Sequence, residues 1–283
     1  MTASQPTQGH STSTVLGRRL GGELTRLRTA AGFTQTQAAK PLSASIGKIA
    51  KMEGGWVPIR EPDIRALCVL YGVDDPSVVG GLLELARVDR ERRKAKGGWN
   101  DAPFAPPMKE YAALESAARS IKTWQVAFIP GLLQTVDYIR ALNSDDLFIN
   151  ARLTRQRRLT DDPQIQLQAV IYEAVLRNLV GGVDVMRKQL DHLAVVGQRR
   201  NVSVRVLPFS AGAQLGMGCG FSILSFADPG AMDVVYVQVP RQPLWREGGE
   251  GAAEHDELFE GIAQHALSES DSRTFIGSLS EGL

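Results

Sequence analysis

At 283 residues the chain is long enough for one large or two ordinary domains, and 43% hydrophobic with 22% charged residues is ordinary for a globular protein. No apolar run approaches the roughly 20 residues that span a bilayer. Residues 1–14 carry neither Lys, Arg nor an apolar stretch, so they do not read as a secretory leader. The two cysteines, Cys68 and Cys219, lie far apart, as suits a reduced, cytoplasmic chain better than a disulfide scaffold. The net charge of +1 hides an asymmetry. Residues 15–96 hold 15 basic and 9 acidic side chains, a net of +6, whereas 97–283 hold 17 and 22, a net of −5. A basic N-terminal part and an acidic remainder suit nucleic-acid contact by one end only. The plainer alternative is a solvated, charged helix at 87–96.

Residues 1–14 are rich in Ser, Thr and Gln and are expected to be disordered. A helix follows over 15–30, with Leu16, Leu20, Leu24 and Leu27 at helical spacing and with Arg18, Arg19, Arg26 and Arg28 as phosphate contacts or surface arginines. Thr34 then offers an N-cap, and Gln37 stands three residues on, as a capping box requires. Ala38 and Ala39 allow close helix approach, and Pro41 stops this short helix. Ser43 and Ser45 can cap a second helix reaching Glu53. Its Ile49 and Met52 can face a core while Gly47, Ala50 and Lys51 point away. Helices beginning near Asp63, with Ile64, Leu67, Cys68 and Tyr71, and near Ser77 complete five.

The segment 32–53 is the helix-turn-helix stretch that organises the rest. The opening Thr34-Gln35, the close Lys48-Ile49-x-Lys51-Met52-Glu53 and the later Leu67-x-x-x-Tyr71-Gly72 resemble the XRE family, the lambda-repressor-like DNA-binding domains. The resemblance covers about 16–93. It departs at three places: Ser43 stands at the usual turn glycine, Pro41 where a helix former is usual, and Ile46-Gly47 where a polar pair commonly reads bases. The resemblance implies a major-groove helix at 45–53. Ser45 and Lys48 would touch bases or phosphates, and Ile46 a thymine methyl group. Gly47 would admit close backbone approach, and Lys51 would touch phosphate or base. Thr34 and Gln35, at the preceding helix's N-terminus, would contact a phosphate or buttress the readout.

Gly, Pro and Asn concentrate at 97–107, which reads as a linker. Beyond it the elements are mixed. Helices are predicted at 108–119, through Leu142, at 150–160, 183–197 and 254–268. Strands are predicted at 121–129, 166–172, 202–209, 220–226 and 233–239. The helix at 150–160 is strongly basic, with Arg152, Arg155, Arg157 and Arg158, open to an anion, DNA, an acidic partner or internal salt bridges. The segments Pro130-Gly131-Leu132-Leu133-Gln134-Thr135-x-x-Tyr138, Arg155-Gln156, Gly181-Gly182, 201–209 and Val234-Val235-Tyr236-Val237 resemble the actinobacterial XRE regulators with an antitoxin-like C-terminal domain. That group implies a transcription factor, often linked to a small partner protein and to developmental or antibiotic regulation.

No catalytic constellation emerges. Gly216-x-Gly218-Cys219-Gly220 precedes a strand rather than opening a helix, and no His or Lys stands at motif spacing to it. His255 and His265 fit no zinc pattern, and His192 reads as a helix-surface residue. The expectation is therefore α+β overall: a five-helix, lambda-repressor-like DNA-binding domain at 15–96 and a mixed α/β domain at 108–283. The chain is expected to be a non-enzymatic, cytoplasmic regulator that pairs two-fold on a near-palindromic operator. No metal or cofactor is expected. The C-terminal domain would dimerise, sense an effector or bind a small protein. The alternative is an antitoxin-like interaction module with DNA binding secondary.

Overall fold

A computed structural model describes residues 14–97, 99, 101–227, 233–239, 243–247 and 249–283. The tail expected at 1–14 lies outside these except for Thr14. Two compact units meet between Lys94 and Ala95.

The first unit is all helix: α1 Val15–Ala30, α2 Gln35–Ala39, α3 Ile46–Glu53, α4 Glu61–Tyr71 and α5 Pro76–Gly97. Each start has a local cause. Thr14 caps α1, Thr34 and Gln37 form the capping box of α2, and Ser45 caps α3. Gly72, at φ 72°, takes the left-handed conformation that ends α4 without the strain a Cβ would add. The core joins Leu20 and Leu24 of α1, Ala38 of α2, Ile49 and Met52 of α3, Ile64 and Leu67 of α4 and Leu82 of α5. Cys68 is buried in it as a small apolar residue.

The second unit is built on a six-stranded mixed sheet in the order β3-β2-β1-β4-β5-β6: β1 Ser120–Gln125, β2 Gln166–Tyr172, β3 Val202–Leu207, β4 Phe221–Ser225, β5 Val234–Val237 and β6 Leu244–Glu247. Strands β1, β2 and β3 run parallel, with Trp124 opposite Val170 and Val170 opposite Arg205, while β4, β5 and β6 run antiparallel to their neighbours. Alternation sends Ile121, Leu167 and Val204 to one face and Trp124, Val170 and Ile223 to the other. The first face packs on α6 Pro106–Ala117, α7 Val136–Leu142, α9 Glu173–Arg177, α10 Val183–Val196 and α12 Glu269–Glu281, with α8 Asp146–Gln156 against α6 and α7. The second face is covered by α11 Gly249–His265. The α+β architecture matches the expectation.

Several expected elements are corrected. The strand expected at 121–129 ends at Gln125, the last residue paired with β2, and the chain then turns into a 3-10 turn at Gly131–Leu133. The basic helix starts earlier, because Asp145 accepts from Leu147 N at 3.0 Å as its cap, and its last turn, Arg157–Leu159, is 3-10. The helix expected to run through Ser268 stops at His265, since Ser268 caps α12 by accepting from Asp271 N. The short α9, the edge strand β6 and all of α12 had no counterpart among the predicted elements.

Candidate nucleic-acid interface

The surface to test is α3 and the turn before it. Ile49 and Met52 are fully buried, and burying two such side chains contributes about 1.5–3 kcal/mol each. That anchor fixes which face stays outside. Ser45, Ile46, Gly47, Ala50 and Lys51 are exposed, with Ile46 at 50%. A Cβ on Gly47 would meet only Ser45 Oγ, 3.9 Å away, so its face is open. Ser45 Oγ accepts from Lys48 N at 3.2 Å, which uses the hydroxyl as a cap. Lys48 is half-buried, with its Nζ 3.8 Å from Asp63 Oδ2. Arg60 holds the same carboxylate more closely, at 3.2 Å from each oxygen. Lys51 has no ion-pair partner among the described residues. Thr34 and Gln37 stand exposed at the N-terminus of α2.

A polar clamp fixes the two helices to each other. Glu53, at the end of α3, accepts from Arg28 Nε at 2.6 Å and Nη2 at 3.1 Å, and from Gln35 Nε2 at 2.8 Å. Arg28 Nη1 also donates to the Phe33 carbonyl at 2.7 Å. A carboxylate at a helix C-terminus opposes the helix dipole, and the bidentate arginine offsets that. Donation to Glu53 holds the Arg28 guanidinium above its ordinary pKa, and burial with the same carboxylate pushes the Tyr71 phenol up to about 12. Gln35 is thus placed as a brace between α2 and α3. Arg28 is held in this clamp by Glu53, and Arg26 pairs with Glu23. No local sequence pattern joins Arg28, Gln35 and Glu53. The only sign was a buried-face arginine seven residues before a capped glutamine.

Close backbone approach completes the geometry. A Cβ on Gly21 would lie 2.2 Å from the Glu53 carbonyl oxygen, and one on Gly55 2.2 Å from Arg18 N. Arg93 Nη2 donates to the Gly55 carbonyl at 2.6 Å and ties α5 to the same corner. The end of α3 is therefore held by α1, α2 and α5 while its N-terminal half projects.

In the second unit the arginine cluster is largely tied up internally. Arg155 makes a buried bidentate pair with Glu115 (2.6 and 2.9 Å), and Arg158 donates to the Pro163 and Ala118 carbonyls. His255 and His265 each bond, through Nδ1, a carbonyl one turn back in their own helix. His192 is half-buried rather than on the surface, and Gly216 offers its carbonyl to Trp124 Nε1 at 2.9 Å. Among the described residues no group of three or more His, Cys, Asp or Glu is placed to hold a metal, and no helix is long and apolar enough to cross a membrane.

The fold and this surface define a helix-turn-helix protein carrying an α+β C-terminal domain. Residues 19–79 match a family described as a helix-turn-helix domain, which supports a DNA-binding regulator. Residues 108–278, more than half of the chain, match a domain of unknown function (DUF5753), and the chain belongs to that family. No curated protein and no solved structure shows a significant match to it.

Proposed function

We propose that the protein is a sequence-specific transcriptional regulator of the XRE, lambda-repressor-like kind that reads DNA with the N-terminal half of α3. The observation that carries this is the two-sided α3. Ile49 and Met52 lock it into the core, while Ser45, Ile46, Gly47, Lys48 and Lys51 form one accessible strip. A helix so mounted inserts its first turns into a major groove, where Lys48 and Lys51 meet phosphates or a guanine edge and Ile46 a thymine methyl group. The backbone of Gly47 permits the close approach that a side chain would block. One such helix buries too little DNA for selective binding, so two copies act on a near-palindrome. The protein acts without catalysis, and its C-terminal domain serves dimerisation, effector sensing or partner binding.

The test is selection from random-sequence DNA with the purified full chain over a salt series. Enriched palindromic sites whose affinity falls steeply with salt support the reading. Salt-sensitive binding with no enriched sequence would refute specific readout by α3.

A further inference from the structure

Beyond the DNA surface, the second unit contains a cavity of about 590 Å³ on the α6 face of the sheet, at the carboxyl end of β1. Its walls come from β1, α6, α8, β5 and the segment between β1 and α7. There β1 stands between its parallel neighbour β2 and its antiparallel neighbour β4.

The lining is apolar and aromatic with few polar groups. Tyr111 and Tyr236 pack with ring centroids 4.9 Å apart and planes tilted by 57°, and Phe128 and Ile129 also line the space. Thr123 and Gln125 are buried on β1, and Gln125 Nε2 donates to Thr123 Oγ1 at 2.9 Å. Three charged side chains line the space: Glu115, Arg155 and Arg152. Glu115 and Arg155 neutralise each other as a pair with side chains 2% and 4% exposed. Among the described residues no carboxylate makes an ion pair with Arg152. Its Nη1 donates to Gln134 Oε1 at 2.8 Å, its guanidinium lies 4.9 Å from the Phe148 ring centre, and its buried Nε has no hydrogen-bond partner. Burial first, and then the charge of Arg155, push Arg152 down to about 10 against the opposing pull of Glu115, so it remains a cation at neutral pH, with that nearby carboxylate already held by Arg155. A partly buried, incompletely bonded cation beside an aromatic cleft of drug-like size is the arrangement that a small anion completes.

We infer that this cavity binds a small organic carboxylate with a flat apolar body, the acid group on Arg152 and the body against Tyr111 and Tyr236. The acid group meets the Nη edge of the guanidinium, since Nε is buried and Nη1 also serves Gln134, and the body lies along the tyrosine rings. This site stands independently of the DNA reading, so a chain that failed to select an operator would leave it unaffected.

The experiment uses the full chain and two probes of nearly equal shape, 1-naphthoate and its neutral counterpart 1-naphthamide. Calorimetric titration is expected to show the acid binding at least about tenfold more tightly, as a charge-assisted contact requires. Hydrogen exchange with the acid present is expected to slow in peptides covering 125–134 and 150–156. In Arg152→Gln the preference for the acid falls to near unity. Equal affinity for acid and amide, no binding of the acid at millimolar concentration, protection elsewhere such as 254–265, or a preserved preference in folded Arg152→Gln would each overturn the assignment. The comparison of the two probes and the exchange map need no variant, so they decide the matter if Arg152→Gln fails to fold.

Discussion

Gly21 and Gly22 are neighbours in α1, yet alanine at these two positions is expected to act in opposite directions. At Gly22 an added Cβ meets nothing within 4 Å. The substitution there removes only the conformational freedom of glycine in the unfolded chain and stabilises the helix by about 0.5–1 kcal/mol. At Gly21 the same atom would sit 2.2 Å from the Glu53 carbonyl oxygen and 2.6 Å from the Met52 oxygen. Both obstacles are backbone, so relief requires α1 to move off the end of α3 by more than 1 Å, on the order of the gap to ordinary contact. Overpacking of this kind costs about 1–3 kcal/mol or more, against a helix gain of about 1 kcal/mol. The net result is destabilisation by up to about 2 kcal/mol. Hydrogen exchange of α1 and α3 peptides in the full chain measures this without assuming that both units unfold together. A shift of one to two kcal/mol changes the exposed population about 5- to 30-fold. Gly21→Ala is expected to exchange faster within that range and to bind its operator more weakly, and Gly22→Ala to exchange slightly more slowly. If both variants moved in the same direction, α1 would not be packed against the α3 terminus as described.

Three further outcomes follow from other contacts. Lys48→Ala is expected to cost about 1–3 kcal/mol of operator affinity if Lys48 reads a base, whereas Lys51→Ala, on phosphate, weakens binding to all sequences alike and lowers the salt slope by about one; unchanged binding by both folded variants removes these lysines from the interface. Glu115→Gln leaves the buried Arg155 without its carboxylate and is expected to destabilise the second unit by about 3–5 kcal/mol, with Glu115→Gln/Arg155→Met recovering much of that in calorimetric unfolding; a double variant no more stable than the single would show that the pair is not the cause. Burial, and then the Arg199 charge, hold the His192 imidazole below its ordinary value, so the folded chain binds fewer protons than the unfolded chain once the pH falls below about 6.5. Stability is therefore retained above that pH and lost as the solution acidifies. His192→Gln is expected to flatten the decline between about pH 7 and 5, and slopes identical to the parent would refute the linkage.

The helices of the first unit were legible because their signals are local. Caps at Thr34 and Ser45, the stop at Gly72 and the leucine spacing of α1 all fall within a few residues of what they determine. The Arg28–Gln35–Glu53 clamp was not legible, since its partners stand 25 and 18 residues from Glu53 and meet only after three helices pack. Distance also hid β6. Its four residues carry little strand pattern, and Trp245 gains its place by lying opposite Tyr236, 4.7 Å between ring centres. For α12 propensity itself misled. The helix holds four serines, and its few apolar residues, among them Ile276 and Leu279, are fixed by packing with α10 and β3. Cavity and buried ion pair likewise depend on α6 and α8 converging, which no spacing within either helix records.

The three departures from the lambda-repressor-like pattern carry different physical weight. Ser43 occupies the left-handed region at φ 48°, a conformation that costs a side-chain-bearing residue about 1–2 kcal/mol. The turn offsets this with two backbone bonds that close the helix end, Ser43 N to Lys40 O and Ala44 N to Ala39 O, both 3.0 Å. Pro41 lacks an N–H that helix continuation would send to the Gln37 carbonyl, but Lys40 N already donates to that oxygen at 3.3 Å. Neither substitution disturbs the placement of α3, because its core contacts through Ile49 and Met52 and its clamp through Glu53 lie elsewhere. Ile46-Gly47 differs in kind. Those two residues contribute nothing to the core and stand wholly on the exposed strip. On the proposed reading, α3 is mounted firmly by its buried side while two of its exposed positions offer bases an apolar side chain and bare backbone. Selectivity would then rest on Ser45, Lys48 and Lys51, on apolar contact by Ile46, and on the shape of the DNA that two paired helices would accept.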